Sequence, residues 1–358
     1  MDLQSSMAVQ MGSITSKFIV AGITVLFAIV CFADDFEQDY FVFADVTGIY
    51  RYNLNATSAL EGRDSHTHIV FFHTLNYQER ISSLVEYVFE GEHRSLERLQ
   101  FGTKQWRLFN FSIGRGHIPL SKWNTDYHHG AHLETSISRP NVTDKMVPRH
   151  SSGLEFNGEI PKQQGYLSWD LNYGLAPKLG ASGLVDYDLL ETDDGHKNQY
   201  SIRVTNKLDD AGHNAYGFYL GKSTFASELS GISLVDQQQT GLFANWSIDR
   251  LKLIGEIVHL RLDIQSSNPT KESFASGYLQ GEWRPHEKLA WFGRVEHTSS
   301  SDTSVWLPLV PDAVRNRTAV GLRYDFRSWQ AVTVEFARTE KMNEEFNSFT
   351  LRWSGVLE

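Results

Sequence analysis

The chain has 358 residues, of which 41% are hydrophobic and 13% aromatic, with 27 glycines and 9 prolines. Its formal net charge of −10 at pH 7 leaves no basic excess for nucleic-acid binding, so we exclude a nucleic-acid partner. No long segment repeats apolar residues with a period of 3.6, which excludes a large core of ordinary helices.

The first 33 residues have the pattern of a secretory signal. Lys17 precedes a short apolar run at 18–30, and the small residues Cys31 and Ala33 precede two aspartates. This order predicts cleavage after Ala33. Because Cys31 is the only cysteine, we expect the mature chain to fold without disulfides.

Beyond residue 33, apolar side chains alternate with polar or small ones. The segment GYLSWDLNYGL at 165–175 shows this period of two, and residues 317–326 repeat it. Successive side chains of a strand point to opposite faces, so the pattern predicts β-strands. Many of the segments run for about 10–15 residues, longer than strands in soluble sheets and long enough to cross a membrane when tilted. Sixteen segments begin near residues 40, 66, 80, 95, 107, 151, 164, 197, 213, 231, 251, 272, 288, 314, 329 and 345.

The connections between these segments alternate in length. Tight ones lie at 78–80, 104–107, 161–164, 249–250, 284–288 and 327–329, with a somewhat longer one at 208–213. The intervening ones are more variable: they are long at 54–65, 119–150, 176–196 and 300–313 and shorter near 91–94, 226–230, 266–271 and 341–344. An even number of strands places both termini on the side of the tight turns. This arrangement is typical of bacterial outer-membrane barrels.

The two faces of the predicted strands differ in polarity. One face is apolar, as with Val258, Leu260, Leu262 and Ile264, and we expect it to contact lipid. The other face is predicted to line a water-filled lumen, because sixteen strands enclose a channel. A closed barrel leaves no unpaired edge in hydrocarbon. The fold class predicted for residues 34–358 is therefore all-β, a transmembrane antiparallel up-and-down barrel. The charged residues assigned to the inner face are Asp170, Arg203, Arg261, Asp263, Arg294, Glu296, Arg315, Arg317, Arg323, Asp325 and Arg352.

Tryptophans lie at or beside several of the tight turns. Trp106, Trp246, Trp283 and Trp329 all occupy such positions. Aromatic side chains collect at the membrane–water interface, so these four predict an aromatic girdle on the side of the short turns.

The early strands resemble those of porins, in particular the phosphate-selective porin O/P-like proteins. The resemblance rests on ISSLVEYVFEGE, LERLQFG and LFNFSIGRGHIPLSKWN, in which Gly114-Arg115, Pro119 and Trp123-Asn124 match the family layout. It implies a trimeric sixteen-stranded channel in the outer membrane of a Gram-negative bacterium, with a third long loop that can fold into the pore. Residues 119–150 hold the position of that loop. Unlike the arginine and lysine ladders of phosphate-selective members, the inner basic residues here are interleaved with acidic ones.

The predicted function is passive diffusion of small hydrophilic solutes or ions through the barrel, with outer-membrane lipid as the surroundings and a homotrimer as the candidate assembly. No cofactor or metal is implied. Inner charges either pair across strands and stiffen the wall or create the field that sorts solutes. The candidate pore-lining or constricting residues are Arg115, Lys122, Asp126, His128, His129, Glu134, Arg315, Arg317 and Arg323.

Two other functions remain open from the sequence. Four histidines between 117 and 132 raise the question of a metal site, although their spacing is not regular. A hydrolase at the rim could use Ser151-Ser152 after His150, or Asp193-Asp194 before His196. The barrel could also have an occluded lumen and serve as an adhesin or anchor.

Overall fold

The structure is a computed structural model that describes residues 36–53, 62–78, 80–91, 93–103, 108–126, 135–187, 189, 195–209, 212–299, 303–310, 312–342 and 344–357. The predicted signal segment lies outside these residues. Within the described part of the chain, no helix is long and apolar enough to cross a membrane.

Sixteen antiparallel strands form a closed barrel. Each barrel strand pairs with its neighbours in the chain, and the pairing of the first with the last closes the wall. The predicted fold class is confirmed, and all sixteen strands begin within a few residues of the predicted positions. The strands are β1 (Phe36–Asn53), β2 (Gly62–Tyr77), β3 (Ile81–Glu90), β4 (His93–Thr103), β5 (Asn110–His117), β6 (His150–Pro161), β7 (Tyr166–Leu175), β10 (Asn198–Lys207), β11 (Ala215–Ala226), β12 (Ile232–Ile248), β13 (Leu251–Ser266), β14 (Thr270–His286), β15 (Leu289–Thr298), β16 (Val314–Arg327), β17 (Gln330–Lys341) and β18 (Glu345–Leu357).

A small hairpin outside the barrel wall was not predicted. Its strands, β8 (Lys178–Gly180) and β9 (Gly183–Val185), lie in the connection between β7 and β10. Three-residue strands are too short to show a period of two, so the pattern could not reveal them.

The alternation of loop lengths is confirmed, and it defines a short-turn side and a long-loop side. Both ends of the barrel, Phe36 and Leu357, lie on the short-turn side. On the other side, the connection from β5 to β6 spans residues 118–149 and is called the third loop below. Its described part contains helix α1 (Lys122–Asp126) and a single π-helical turn (Val142–Met146).

Apolar side chains form an outward belt around the wall, as the alternation predicts. Leu242, Ile257, Leu279 and Val320 are all more than half exposed, whereas the residues next to them in each strand are more enclosed. Trp246, Trp283 and Trp329 are also exposed near the short-turn ends of their strands. Trp106 lies outside the described residues.

The predicted orientation is wrong for the second half of β13. Val258, Leu260, Leu262 and Ile264 face inward and are at most 3% exposed. Consequently Arg261 and Asp263, which we expected in the lumen, lie on the outer face of the strand. The physical reason is that apolar loop residues pack against the inner face of this half of β13, so this part of the wall is not in contact with water.

This interior packing forms an apolar core between the β11–β14 wall and the long loops. The loop between β15 and β16 contributes a 3-10 turn (Leu307–Leu309) and a fully buried tryptophan, Trp306, which stacks on Phe225 at 6.1 Å between ring centroids. Burying such side chains stabilises the docked loops by about 1.5–3 kcal/mol each. The core includes Ile118, Leu120, Trp123, Val142, Met146, Leu179, Tyr219, Phe225, Val235, Val258, Leu260, Leu262, Ile264, Phe274, Trp306, Leu307 and Val310.

A matched pair of substitutions on β10 tests the apolar belt. Ile202 is an outward residue paired with Leu171 and Leu220, and Asn198 lies four residues nearer the long-loop side on the same face. We expect Ile202→Arg to lower the free energy of unfolding in lipid vesicles by about 2–4 kcal/mol and Asn198→Arg by about 0–1 kcal/mol. Urea titration with tryptophan fluorescence measures both. Equal losses would contradict a belt centred on Ile202.

Candidate functional site

The described parts of the third loop, residues 118–126 and 135–149, lie inside the barrel and contact the opposite wall. The Ser121 hydroxyl donates to the Glu256 carboxylate of β13 at 3.1 Å, and the Gln237 side chain of β12 donates to the Met146 carbonyl at 2.9 Å. Arg203 of β10 donates to the Thr125 hydroxyl. These contacts attach both described parts of the loop to the wall from β10 to β13.

A second part of the third loop, residues 136–141, is held by two wall carboxylates. Glu335 of β17 accepts hydrogen bonds from the Ile137 backbone N–H at 2.9 Å and from the Ser138 hydroxyl at 2.6 Å. Glu296 of β15 accepts one from the Asn141 backbone N–H at 2.7 Å. Since hydrogen bonds to charged groups contribute about 1.5–3 kcal/mol each, these carboxylates are strong anchors.

Arginines of the wall bind the carbonyl groups of the same segment. Arg294 donates to the Ser138 carbonyl at 2.7 Å, and Arg352 donates to the Ile137 carbonyl at 3.0 Å. Arg317 donates to the Arg139 carbonyl at 3.3 Å. The charged wall thus satisfies backbone groups that the loop cannot pair by itself.

The described residues line two polar cavities inside the barrel. The larger cavity, of about 630 Å³, lies between the third loop and strands β1–β3 and β16–β18. The smaller cavity, of about 430 Å³, lies against β4–β7 and β10, and Pro119, Lys122 and Thr125 of the third loop line it. The third loop therefore borders both cavities.

The charges that line the cavities nearly balance. Among the described residues, the larger cavity has seven Arg or Lys and six Asp or Glu side chains, including Arg317, Arg352 and Glu335. The smaller cavity has four basic and three acidic side chains. Neither cavity has a strong excess of one sign.

Gly114 explains how Arg115 reaches the interior. Strict alternation from Ile113, which is 51% exposed, would turn Arg115 outward. Gly114 instead has φ of +134°, and a Cβ there would lie 1.9 Å from the Leu99 carbonyl oxygen, so only glycine fits. Arg115 is buried and donates to the Tyr187 carbonyl.

His150 lies between two carboxylates at the start of β6. Its Nε2 is 2.9 Å from Glu97 of β4, and its Nδ1 is 2.7 Å from Asp186, which follows the β8–β9 hairpin. Burial alone would raise the pKa of the Asp186 carboxyl, but His150, Arg149 and Arg115 lower that pKa below its usual range. This network ties the segment after β9 to the barrel wall.

The structure places the predicted pore residues in different surroundings. Lys122 is buried in α1 and lines the smaller cavity, and Arg317 lines the larger cavity. Arg323 is buried on the inner face of β16 and pairs with Asp325 at 2.7 Å. The backbone of Asp126 ends α1. The side chain of Asp126 and the whole of His128, His129 and Glu134 lie outside the described residues.

The pore-lining prediction is wrong for Arg315. Its guanidinium pairs with Glu340 at 2.9 Å, and Asn316 donates to the same carboxylate at 2.7 Å. Glu340 lies on the outer face of β17 together with Phe336 and Arg338. A register shift between Val314 and Asn316 breaks the alternation at this point, which the sequence pattern does not show.

The anchoring role of Glu335 and Glu256 was missed by sequence reasoning. A charged residue at an inward position of an otherwise apolar strand was the available signal, as in VTVEFA at 332–337. The partners of these carboxylates lie in the third loop, between 135 and 198 residues away along the chain. The pairing could therefore not be inferred from spacing.

The residues considered for metal binding or hydrolysis have other partners where the structure describes them. His150 is engaged by carboxylates on both nitrogens, while the Ser151 hydroxyl makes no hydrogen bond to any described residue. His196 donates to the Ala176 carbonyl at 2.7 Å. No group of three or more metal-ligating side chains occurs in the described ranges. Asp193 and Asp194 lie outside them.

Comparisons with known proteins show the fold. No family model and no curated protein sequence match the chain. The anion-selective porin from Comamonas acidovorans has a TM-score of 0.63 at 10% identity, over 90% of this chain and 100% of that chain. The complex of Salmonella typhi OmpF with daunomycin has a TM-score of 0.62 at 10% identity, over 90% and 98%. The outer membrane channel DcaP of Acinetobacter baumannii has a TM-score of 0.62 at 9% identity, over 90% and 97%.

These neighbours support the porin part of the resemblance seen in the sequence. All three resemble this chain in fold alone, because their identity to it is about a tenth. The barrel fits the outer membrane of a Gram-negative bacterium, the location of the neighbours. The narrower resemblance to phosphate-selective porins stays a prediction.

The Asp186 network predicts a dependence of stability on pH. Because the folded state lowers the pKa of Asp186, its contribution is present above the usual pKa of an aspartate and is lost as the pH falls through the lowered value. We expect acidification from pH 6 to pH 2 to cost the unsubstituted protein more unfolding free energy than Asp186→Asn, by on the order of 1 kcal/mol. Urea titrations at each pH measure this. Glu287→Gln, at an exposed turn, is the control and should follow the unsubstituted protein; identical slopes for Asp186→Asn would contradict the assignment.

Proposed function

We propose that the protein is an outer-membrane porin through which small hydrophilic solutes or ions diffuse passively. The observation that carries this proposal is a closed sixteen-stranded barrel crossed by an anchored loop, with polar cavities bordering that loop. In this function the third loop narrows the pore and sets its size limit. Stepwise, ohmic conductance of the folded protein in planar bilayers is expected; a folded barrel without conductance contradicts the proposal.

Weak ion selectivity follows from the charge balance of the cavities. Arg317 and Arg352 are offset by Glu335 and Glu296, which lie within the same network. Much of the wall charge is neutralised in binding the third loop, so the field that sorts ions is modest. In this respect the pore departs from a strongly anion-selective channel.

A trimer and a cleaved signal complete the proposal. One structural neighbour, OmpT of Vibrio cholerae, is described in a trimer form, and it resembles this chain in fold at 11% identity and a TM-score of 0.59. The signal pattern ending at Ala33 would direct export, and the mature barrel would begin at Asp34.

An occluded barrel acting as an adhesin or anchor is the second candidate. The observation that favours it is the apolar core, in which Trp306 and Leu307 pack against Leu260 and its neighbours and fill the interior beside β11–β14. The absence of conductance from a folded protein would favour this function over the porin.

Release of the third loop should widen the pore. Glu296 and Glu335 hold residues 137–141, so the double substitution Glu296→Gln/Glu335→Gln replaces charge-assisted anchors with weaker ones. We expect single-channel conductance to rise by roughly 1.5–3-fold, or to fluctuate between levels. Glu340→Gln removes one carboxylate charge from the outer face of β17 and should leave conductance unchanged. Equal conductance in the double variant, the control variant and the unsubstituted protein would contradict the role of the third loop as the constriction.

Reversal potentials test the role of Arg317. Under a tenfold salt gradient we expect a small reversal potential for the unsubstituted protein, and a shift towards cation preference for Arg317→Glu, because this arginine lines the larger cavity. Arg338→Glu makes the same charge change on the outer face of the adjacent strand. If both variants shift equally, Arg317 does not act from the lumen.

A further inference from the structure

A group of polar side chains lies on the outer face of the wall, where a membrane barrel is otherwise apolar. We call it the polar patch: Lys222 of β11, Gln238 and Thr240 of β12, and His259 and Arg261 of β13. Lys222 pairs with Gln238 and Gln238 with Arg261 across the strands, and Thr240 pairs with His259. The patch is therefore continuous, and four of its members line a depression of about 340 Å³ in the outer surface.

The five side chains of the polar patch make no hydrogen bond or ion pair to any described residue. The acidic residues one outward position further toward the long loops are, in contrast, already engaged. Asp236 accepts a hydrogen bond from Thr224 at 2.5 Å, and Asp263 pairs with Lys271 at 2.9 Å. Asp263 is neutralised by Lys271, whereas the Asp236 charge remains because Thr224 is neutral. Lys222 and Arg261 form no ion pair to any described residue, so with Asp236 they leave the region of the patch with a net charge of +1.

The polar patch begins where the apolar belt ends. Thr240 is the next outward residue after Leu242 on β12, and His259 is the next after Ile257 on β13. Alternate residues of a strand are separated by about 6–7 Å. The patch therefore lies at the level where lipid headgroups begin on the long-loop side.

We propose that the polar patch binds the phosphate headgroup of a membrane lipid. The Arg261 guanidinium supplies a planar pair of donors that matches a phosphate, and Lys222 adds a second positive charge. Gln238 and Thr240 provide neutral donors between them. The acyl chains then lie along Leu220, Leu242 and Ile257, which are exposed directly beside the patch. The proposal depends on the membrane location of the barrel and not on its conductance.

Lipid binding to the purified, folded protein in a neutral detergent tests this proposal. Dioleoyl phosphatidic acid is the probe, and dioleoyl glycerol, which has the same acyl chains and no phosphate, is the comparison; native mass spectrometry counts bound lipid. We expect retention of the phosphatidic acid only, with an affinity about tenfold or more weaker in Lys222→Gln/Arg261→Gln, because two charged donors are lost. Arg338→Gln, a charge removal elsewhere on the outer face, should bind as the unsubstituted protein does.

Several outcomes would overturn the proposal. Equal binding of both lipids, or equal affinity in the double variant and the unsubstituted protein, means that the patch does not recognise the headgroup. Displacement of the lipid by millimolar inorganic phosphate would assign the patch to a free anion. A change in the number of barrels per particle with unaltered lipid binding would make it a contact between copies of the chain. Unchanged conductance of the double variant is expected and separates this result from the test of the porin function.

Discussion

The backbone of the third loop has to find hydrogen-bond partners inside a closed barrel, and this requirement determines most of what surrounds it. Peptide groups removed from water cost free energy unless they are paired. The wall meets the requirement with ionised side chains: Glu335 and Glu296 accept from backbone N–H groups, while Arg294, Arg317 and Arg352 donate to carbonyl groups. The inner charges are thus anchors first, and the polar cavities occupy the space left beside the loop.

This use of charge explains why the interior is polar yet nearly balanced in sign. An arginine that holds a carbonyl next to a glutamate that holds an N–H contributes little net field to the lumen. The same loop carries apolar residues on its other side, such as Leu120 and Met146, and these pack with Trp306 against the β11–β14 wall. The interior is therefore divided into a dry part and a wet part, and the inverted polarity of β13 follows from the dry part. Where the inside of the wall is apolar, His259 and Arg261 of that strand face outward, and they belong to the polar patch proposed to bind a lipid headgroup.

The sixteen barrel strands and the side on which each loop lies could be predicted from the sequence to within a few residues, whereas the candidate site could be predicted only in part. Arg317 and Arg323 were identified correctly as inward residues because they lie in long regular strands. A register shift of one residue places Arg315 on the outer face, where the alternation did not predict it. Among the anchoring carboxylates, Glu296 was recognised as inward and Glu335 and Glu256 were overlooked. The pattern indicated a partner for none of them. Arg115 reaches the interior only because Gly114 has a backbone conformation that reverses the alternation. The period-two pattern of apolar and polar residues does not reveal such a conformation.

The sequence by itself determined that this chain forms sixteen long strands, with both barrel ends on the short-turn side, because side-chain alternation and turn residues act locally. The tertiary structure decided which face of β13 is inside, where the described parts of the third loop lie and which charges line the cavities. The reason is physical: alternation distinguishes two faces of a strand but does not say which of them is wet. That depends on whether water, lipid or a docked loop covers each face, and residues such as Trp306 and Glu335 meet their partners only after the barrel has closed.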